Sequence, residues 1–345
     1  MNTARVRLLA GYSVVVALLA GTAAAIGITQ RGSGATAEAT SILGERYSYA
    51  IDGVYAHNAV RVVAEGVGWD AVTLFLAVPA LLVAAVFVAR GSLRARLAAL
   101  GLFGYLAYQY LMYAMFWAVG PLFPLFVVLY PAALLGIAWI VGTLDTRALA
   151  AAVRPGFPRR TLAVFAAVMS AMLVVMWVPR IAAGIAGDPV GANLLGTPTL
   201  TVQALDLGLV VPLSLATAVL VWRRHRAGYV LGALFTVKAV TMAGAIVAML
   251  VSAWMVEGTL EVVPFAIFGA VTTFAGVLAA RVLLAVPDRK AAFETALAAD
   301  ADLRSEYEAF VAIVRGTQRL SLEPEPSRVM VLPAWLKIAG TQLNW

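Results

Sequence analysis

The chain has 345 residues, of which 62% are hydrophobic and 12% charged; its mean hydropathy is +0.91 and its net charge +7. Soluble domains carry about 25% charged residues, so the composition excludes an ordinary water-soluble globule. There is no Cys, which excludes disulfides, thiolate nucleophiles, Cys-ligated zinc and iron–sulfur clusters.

Eight apolar segments follow one another at 8–28, 70–89, 97–119, 122–142, 161–184, 202–222, 229–252 and 262–286. A hydrocarbon core about 30 Å thick needs roughly 20 apolar residues of helix. Backbone groups in lipid must be satisfied within the segment, which requires helices here. The runs are too continuous for alternating barrel strands. The expected fold is an all-α integral membrane protein with eight transmembrane helices and a small cytoplasmic tail.

The first span follows Arg5 and Arg7 and ends in small residues at 23–25. That is the pattern of a signal sequence, read here as an uncleaved anchor. Residues 30–69 form the long outer loop. Its stretch 32–41 is small and polar, hence expected to be flexible. Tyr47, Tyr49, Ile51, Val54, Tyr55, Val60, Val62 and Val63 suggest a short helix beyond it, lying on the outer surface or capping the bundle.

Basic residues mark alternate loops: Arg90, Arg94 and Arg96; Arg147, Arg154, Arg159 and Arg160; Arg223, Arg224 and Arg226; Arg289 and Lys290. The opposite loops carry mostly acids, among them Glu38, Glu45, Asp52, Glu65, Asp188, Glu257 and Glu261. By the positive-inside rule both termini are cytoplasmic, and the location is a plasma or inner membrane crossed several times. The positive charge therefore sets topology and does not imply nucleic-acid binding.

Spans two and six match at one constant offset. Leu76, Val78, Pro79, Leu82, Ala85, Val86, Val88 and Arg90 match Leu209, Val211, Pro212, Leu215, Ala218, Val219, Val221 and Arg223. Pro and Arg in register suggest duplication. The expected organisation is a first four-helix repeat at 1–142, a cytoplasmic linker at 143–160, a second repeat at 161–286 and an amphipathic tail at 287–345. An even number of spans per half gives parallel repeats, related by an axis along the membrane normal.

Lys238 lies inside the seventh span, where a charge costs about 2.5–3.5 kcal/mol on insertion scales. It could attract an anion, titrate, form a Schiff base, or be pinned by carbonyls. Tyr105, Tyr108, Gln109, Tyr113 and Phe116 share 3–4 spacing on the third span and form either a packing face or the wall of a polar cavity. Asp206 and Arg180 are expected to pair near the outer surface. Glu257 and Glu261 lie at the outer edge, solvated or joined with Asp206 in an acidic vestibule.

Several chemistries are disfavoured. His57 and His225 are expected on opposite sides of the membrane, too far apart for a shared metal or haem. No phosphate-binding Gly-x-x-x-x-Gly-Lys-Ser/Thr loop is present. Leu234 stands four residues before Lys238, where microbial rhodopsins carry Asp. No metal, no cofactor and no enzymatic activity are expected. In the tail, Phe293, Tyr307, Phe310, Trp335 and Trp345 are candidate partner-binding groups.

Residues 70–113, with Arg90-Gly91-Ser92-Leu93-Arg94, and 206–238, with Asp206-Leu207-Gly208-Leu209-Val210-Val211-Pro212, resemble an uncharacterised family of bacterial and archaeal polytopic membrane proteins. The resemblance implies a multi-span fold and no particular activity. The leading expectation is a secondary permease or channel for a small solute or ion, with a polar site at Lys238, Gln109, Tyr105, Tyr108 and Tyr113. The alternative is a membrane scaffold, sensor or accessory subunit that binds partners through its outer loop and tail.

Overall fold

A computed structural model describes residues 3–287 and 301–317. Eight long helices run through it: α1 (Thr3–Thr29), α2 (Val60–Ala89), α3 (Leu93–Phe116), α4 (Phe123–Gly142), α5 (Arg159–Ile185), α6 (Thr201–Trp222), α7 (Arg226–Glu257) and α8 (Val262–Leu284). Seven of them are long and apolar enough to cross a membrane. The exception is α3, whose Gln109 and four tyrosines lower its hydropathy while most of its residues are buried by neighbouring helices. A further helix after α8, α9 (Ala301–Thr317), carries Tyr307. Phe293, Trp335 and Trp345, and the side chain of Phe310, lie outside the described residues.

The second helix begins ten residues earlier than expected, at Val60 rather than 70. Arg61 and Glu65 made this stretch look like loop. They form an i,i+4 ion pair, while Val62, Ala64, Gly66 and Trp69 around them are buried. The outer loop is correspondingly shorter. It holds an antiparallel hairpin, β1 (Thr36–Thr40) with β2 (Arg46–Ala50), which takes Tyr47 and Tyr49 of the expected short helix, while Val60, Val62 and Val63 of that set are helical within α2. Part of the stretch expected to be flexible is therefore a paired strand. Glu45 accepts from Gly196 N at 2.9 Å and so ties the hairpin to the loop before α6.

Helices α3 and α7 occupy the interior. α7 packs on α2, α3, α6 and α8, and α3 packs on α2, α4 and α7. Small residues permit these approaches, as is usual where helices pack within lipid. A Cβ on Gly68 would run into the backbone of Ala248, and one on Gly101 would strike Val237. Around this centre, α1 packs on α2 and α4, and α5 packs on α6.

Two helices share a local irregularity. Residues Thr73–Ala77 of α2 and Asp206–Val210 of α6 form π-turns. Each is followed by Val and then Pro, Pro79 and Pro212. Proline has no N–H to donate, and its ring clashes with the carbonyl four residues back. That carbonyl belongs to Phe75 or Gly208, inside the widened turn, which absorbs the clash. Thr73 and Asp206, which open the two turns, stand at the same offset as the two prolines.

The two ends of the bundle differ. At one end stand the hairpin and the acidic residues. At the other, Arg94 Nε donates to Val286 O at 2.5 Å and Arg96 donates to Thr143 at 2.8 Å. His57 belongs to the hairpin end, whereas His225 caps α7 at the arginine-rich end.

Candidate functional site

The residues expected on one face of α3 fan out toward two different places. At 100° per residue, Tyr108 and Tyr113 project about 140° apart. Because α3 is enclosed by neighbours on all sides, that angle separates two environments.

The first is a closed polar network between α2 and α3. Asp70, 1% exposed, accepts from Tyr55 Oη at 2.5 Å and from Tyr113 Oη at 3.1 Å. Burial, and after it the Asp70 carboxylate, push the Tyr55 hydroxyl well above its ordinary range, so it remains a donor at neutral pH. Thr73 Oγ1 lies 2.8 Å from both Gln109 Oε1 and Tyr105 Oη. Its one hydrogen goes to the amide oxygen or to the Trp69 carbonyl 3.1 Å away, and it accepts from the phenol. Trp69, Tyr113 and Trp117 pack edge-on or tilted around this network, and Gln109 and Tyr105 have no solvent exposure. Tyr105, Gln109 and Tyr113 therefore do not gather at Lys238.

The second environment does contain Lys238. It lies about 18 Å along α7 from the helix start, at 1.5 Å per residue, and its Nζ sits 4.3 Å from the centre of the Tyr108 ring. Tyr108 Oη donates to Asp206 Oδ1 at 2.6 Å, and Trp177 Nε1 donates to Asp206 Oδ2 at 2.8 Å. Four helices, α3, α5, α6 and α7, thus supply one constellation. The expected Arg180–Asp206 ion pair does not form among the described residues. Arg180 instead lies 5.1 Å over the Trp177 ring, so the indole stands between the two charges.

These groups border a cavity of about 470 Å³. It extends from Asn193 and Thr197 near the hairpin end to Ser214 and Leu234 deep in the bundle, and it includes Lys238, Asp206, Tyr108, Trp177 and Arg180 in its wall. Most other lining residues are Leu, Met, Phe and Val. Small-molecule sites commonly measure about 300–1,000 Å³ with a few polar groups in an apolar wall.

Glu257 is separate from Asp206. Arg61 binds Glu257 at 3.2 Å, Glu261 at 2.5 Å and Glu65 at 2.9 Å, joining α2, α7 and the start of α8. Glu261, with Arg61 and Glu65, lines the same cavity as Asp206, whereas Glu257 is not among the lining residues. Among the described residues, no cluster of His, Asp and Glu has the geometry of a metal site.

Three contributors escaped the sequence analysis. Asp70 was placed at a span end because α2 was started too late. Arg61 was lost for the same reason, although its spacing to Glu65 was visible. Trp177 looked like one more apolar residue, and nothing in a single sequence aims its N–H at Asp206.

Comparisons with family models, with curated proteins and with solved structures find no match to this chain. The resemblance to bacterial and archaeal polytopic proteins therefore gains no support from them, and function rests on the site alone.

Proposed function

We propose that this is an eight-span membrane carrier that takes a small ligand from its cavity beside Lys238, Asp206 and Tyr108. The observation that carries the proposal is the cavity itself: two ionisable side chains deep in the bundle face open space rather than packed side chains. Intramembrane charge is costly, and where it persists it marks ligand or ion pathways. α3, too polar to qualify by hydropathy, is the eighth span because it lies buried among the other seven. Basic residues at one end favour that end, with both termini, as cytoplasmic in a plasma or inner membrane.

Duplication of a four-helix unit fits the same reading, with boundaries at 1–142 and 161–286. Its support is the paired π-turns and prolines, together with matching neighbours: α1–α2–α3–α4 pack in sequence, as do α5–α6–α7–α8. Sites between parallel repeats lie near the bilayer midplane. In the alignment that pairs Pro79 with Pro212, Thr73 and Tyr105 correspond to Asp206 and Lys238. A neutral hydrogen-bonded pair in one repeat would then take the place of two charged groups in the other.

The absence of Cys makes the test direct. Met172, in the cavity wall, is replaced by Cys in the otherwise unchanged chain. Vesicles of each orientation are then treated with a membrane-impermeant maleimide. A carrier exposes this position to each side in turn, so both preparations should be labelled. Labelling from neither side would contradict a ligand pathway. A second reading, an accessory subunit, is favoured by the hairpin tip, where Ile42 is 85% exposed. Under that reading the hairpin, not the cavity, is the working surface.

A further inference from the structure

The cavity wall defines what kind of molecule it fits. Lys238 is supported on one side by the Tyr108 ring and faces the cavity. Among the described residues no oxygen accepts a hydrogen bond from its Nζ. Asp206 does not take that role in this structure; its two oxygens accept from Tyr108 and from Trp177. Those bonds also fix the carboxylate in place. An ammonium in an apolar wall with its donors unused calls for an oxygen acceptor supplied from outside.

Charge narrows the acceptor. Arg61, Glu65 and Glu261 also line the cavity but pair with one another, and Asp206 already accepts two bonds; the Lys238 ammonium is the group left to be met, which favours an anion over a cation. Size and surface decide the rest. A dehydrated inorganic anion would leave most of 470 Å³ unfilled. The remaining wall includes Met112, Met169, Met172, Met176, Met242 and Met249, more than half of the methionines in the chain. Methionine is flexible and polarizable and adapts to apolar ligands of variable shape.

We propose that the cavity binds a long-chain carboxylate, with its head on Lys238 Nζ and its chain against the methionines. This rests on the ligand site argued above, and it commits that site to an anionic amphiphile. A fatty acid taken laterally from the bilayer and one taken from water share this chemistry.

The test uses the full chain in nanodiscs of zwitterionic lipid, with radiolabelled palmitate as probe and hexadecanol and hexadecylamine as competitors. Palmitate should bind saturably, and hexadecanol should compete about tenfold more weakly or worse, the scale of one charge-assisted interaction. Lys238→Met should weaken palmitate binding about tenfold or more. Asp206→Asn should strengthen it, because a nearby negative charge is removed. That opposite sign is not expected from structural damage, and it keeps the test valid if Lys238→Met fails to fold. Equal competition by hexadecanol, or weaker palmitate binding by Asp206→Asn, would overturn the proposal. Adding the probe to lipid-depleted detergent micelles as well as nanodiscs distinguishes the sources: binding only in the bilayer indicates lateral entry, and binding in both indicates a route from water. Carboxylate-selective binding together with Met172→Cys labelling from one face only would remove the carrier reading and keep the ligand class. Labelling from both faces without carboxylate selectivity would do the reverse.

Discussion

Thr73 and Asp206 open two π-turns of the same form, each followed by Val-Pro, yet their surroundings differ sharply. Around Thr73 the neighbours are buried side chains: Tyr105 and Gln109 meet its hydroxyl, and Asp70, Tyr55 and Tyr113 form the adjoining layer, with Gln109 Nε2 left without a partner among the described residues. Around Asp206 the partners come from α3 and α5, and beyond them lies the cavity with Lys238. A widened helix turn thus carries no function of its own. It presents a side chain, and the packing on the facing helices decides whether that side chain becomes part of a buried network or of a cavity wall.

The comparison breaks most severely if charge is moved to the sealed region. Thr73→Asp combined with Tyr105→Lys places two charges where there is no cavity and should abolish folded protein, read as loss of the monodisperse peak in detergent chromatography. The reverse exchange, Asp206→Thr with Lys238→Tyr, should yield folded protein that has lost the ligand site. Recovery of the first pair in folded form would show that the network around Thr73 is not closely packed.

Smaller edits sharpen the contrast. Tyr113→Phe removes one of two hydroxyls that Asp70 accepts from and should cost about 1–3 kcal/mol in detergent unfolding. Tyr55→Phe should cost a similar amount, and the double variant should be non-additive because both serve one carboxylate. Lys238→Met should change stability by less than about 1 kcal/mol or raise it, since a buried charge gives way to an apolar chain of similar length. At the edge, Arg61→Met frees three carboxylates and should cost about 1 kcal/mol, less at high salt, because these groups are partly exposed. The smallest effect should come from Glu45→Gln, which only weakens a single bond to Gly196. Its expected cost is about 0.5 kcal/mol by the same measurement.

Much of the helical architecture was readable from apolar run length and loop charge, because lipid imposes both constraints directly on the sequence. The late start given to α2 shows the limit. A helix that leaves the apolar layer beside other protein can carry Arg61, Glu65 and Asp70, and local hydropathy then ends the span too soon. Lys238 was recognisable as a candidate because a lysine inside an apolar run is costly. Its companions were recognisable only in part. Tyr108 was named, but together with Tyr105, Gln109 and Tyr113, since 3–4 spacing groups residues that a fully enclosed helix sends to different neighbours. The Trp177–Asp206 bond and the displacement of Arg180 depend on how α5 is rotated against α6, which no local pattern encodes.

The most direct test of the account is a pair of single-cysteine variants at positions that correspond when Pro79 is aligned with Pro212, Gln109→Cys and Met242→Cys, in a chain that otherwise has none. Gln109 is fully buried in the sealed network, and Met242 lines the cavity. The rate of modification by a small charged thiol reagent would be measured for each in lipid. The account predicts rapid reaction at Met242→Cys and protection at Gln109→Cys until the protein is unfolded. Equal protection at both would show that the space beside Lys238 is closed to solutes, and would contradict the account.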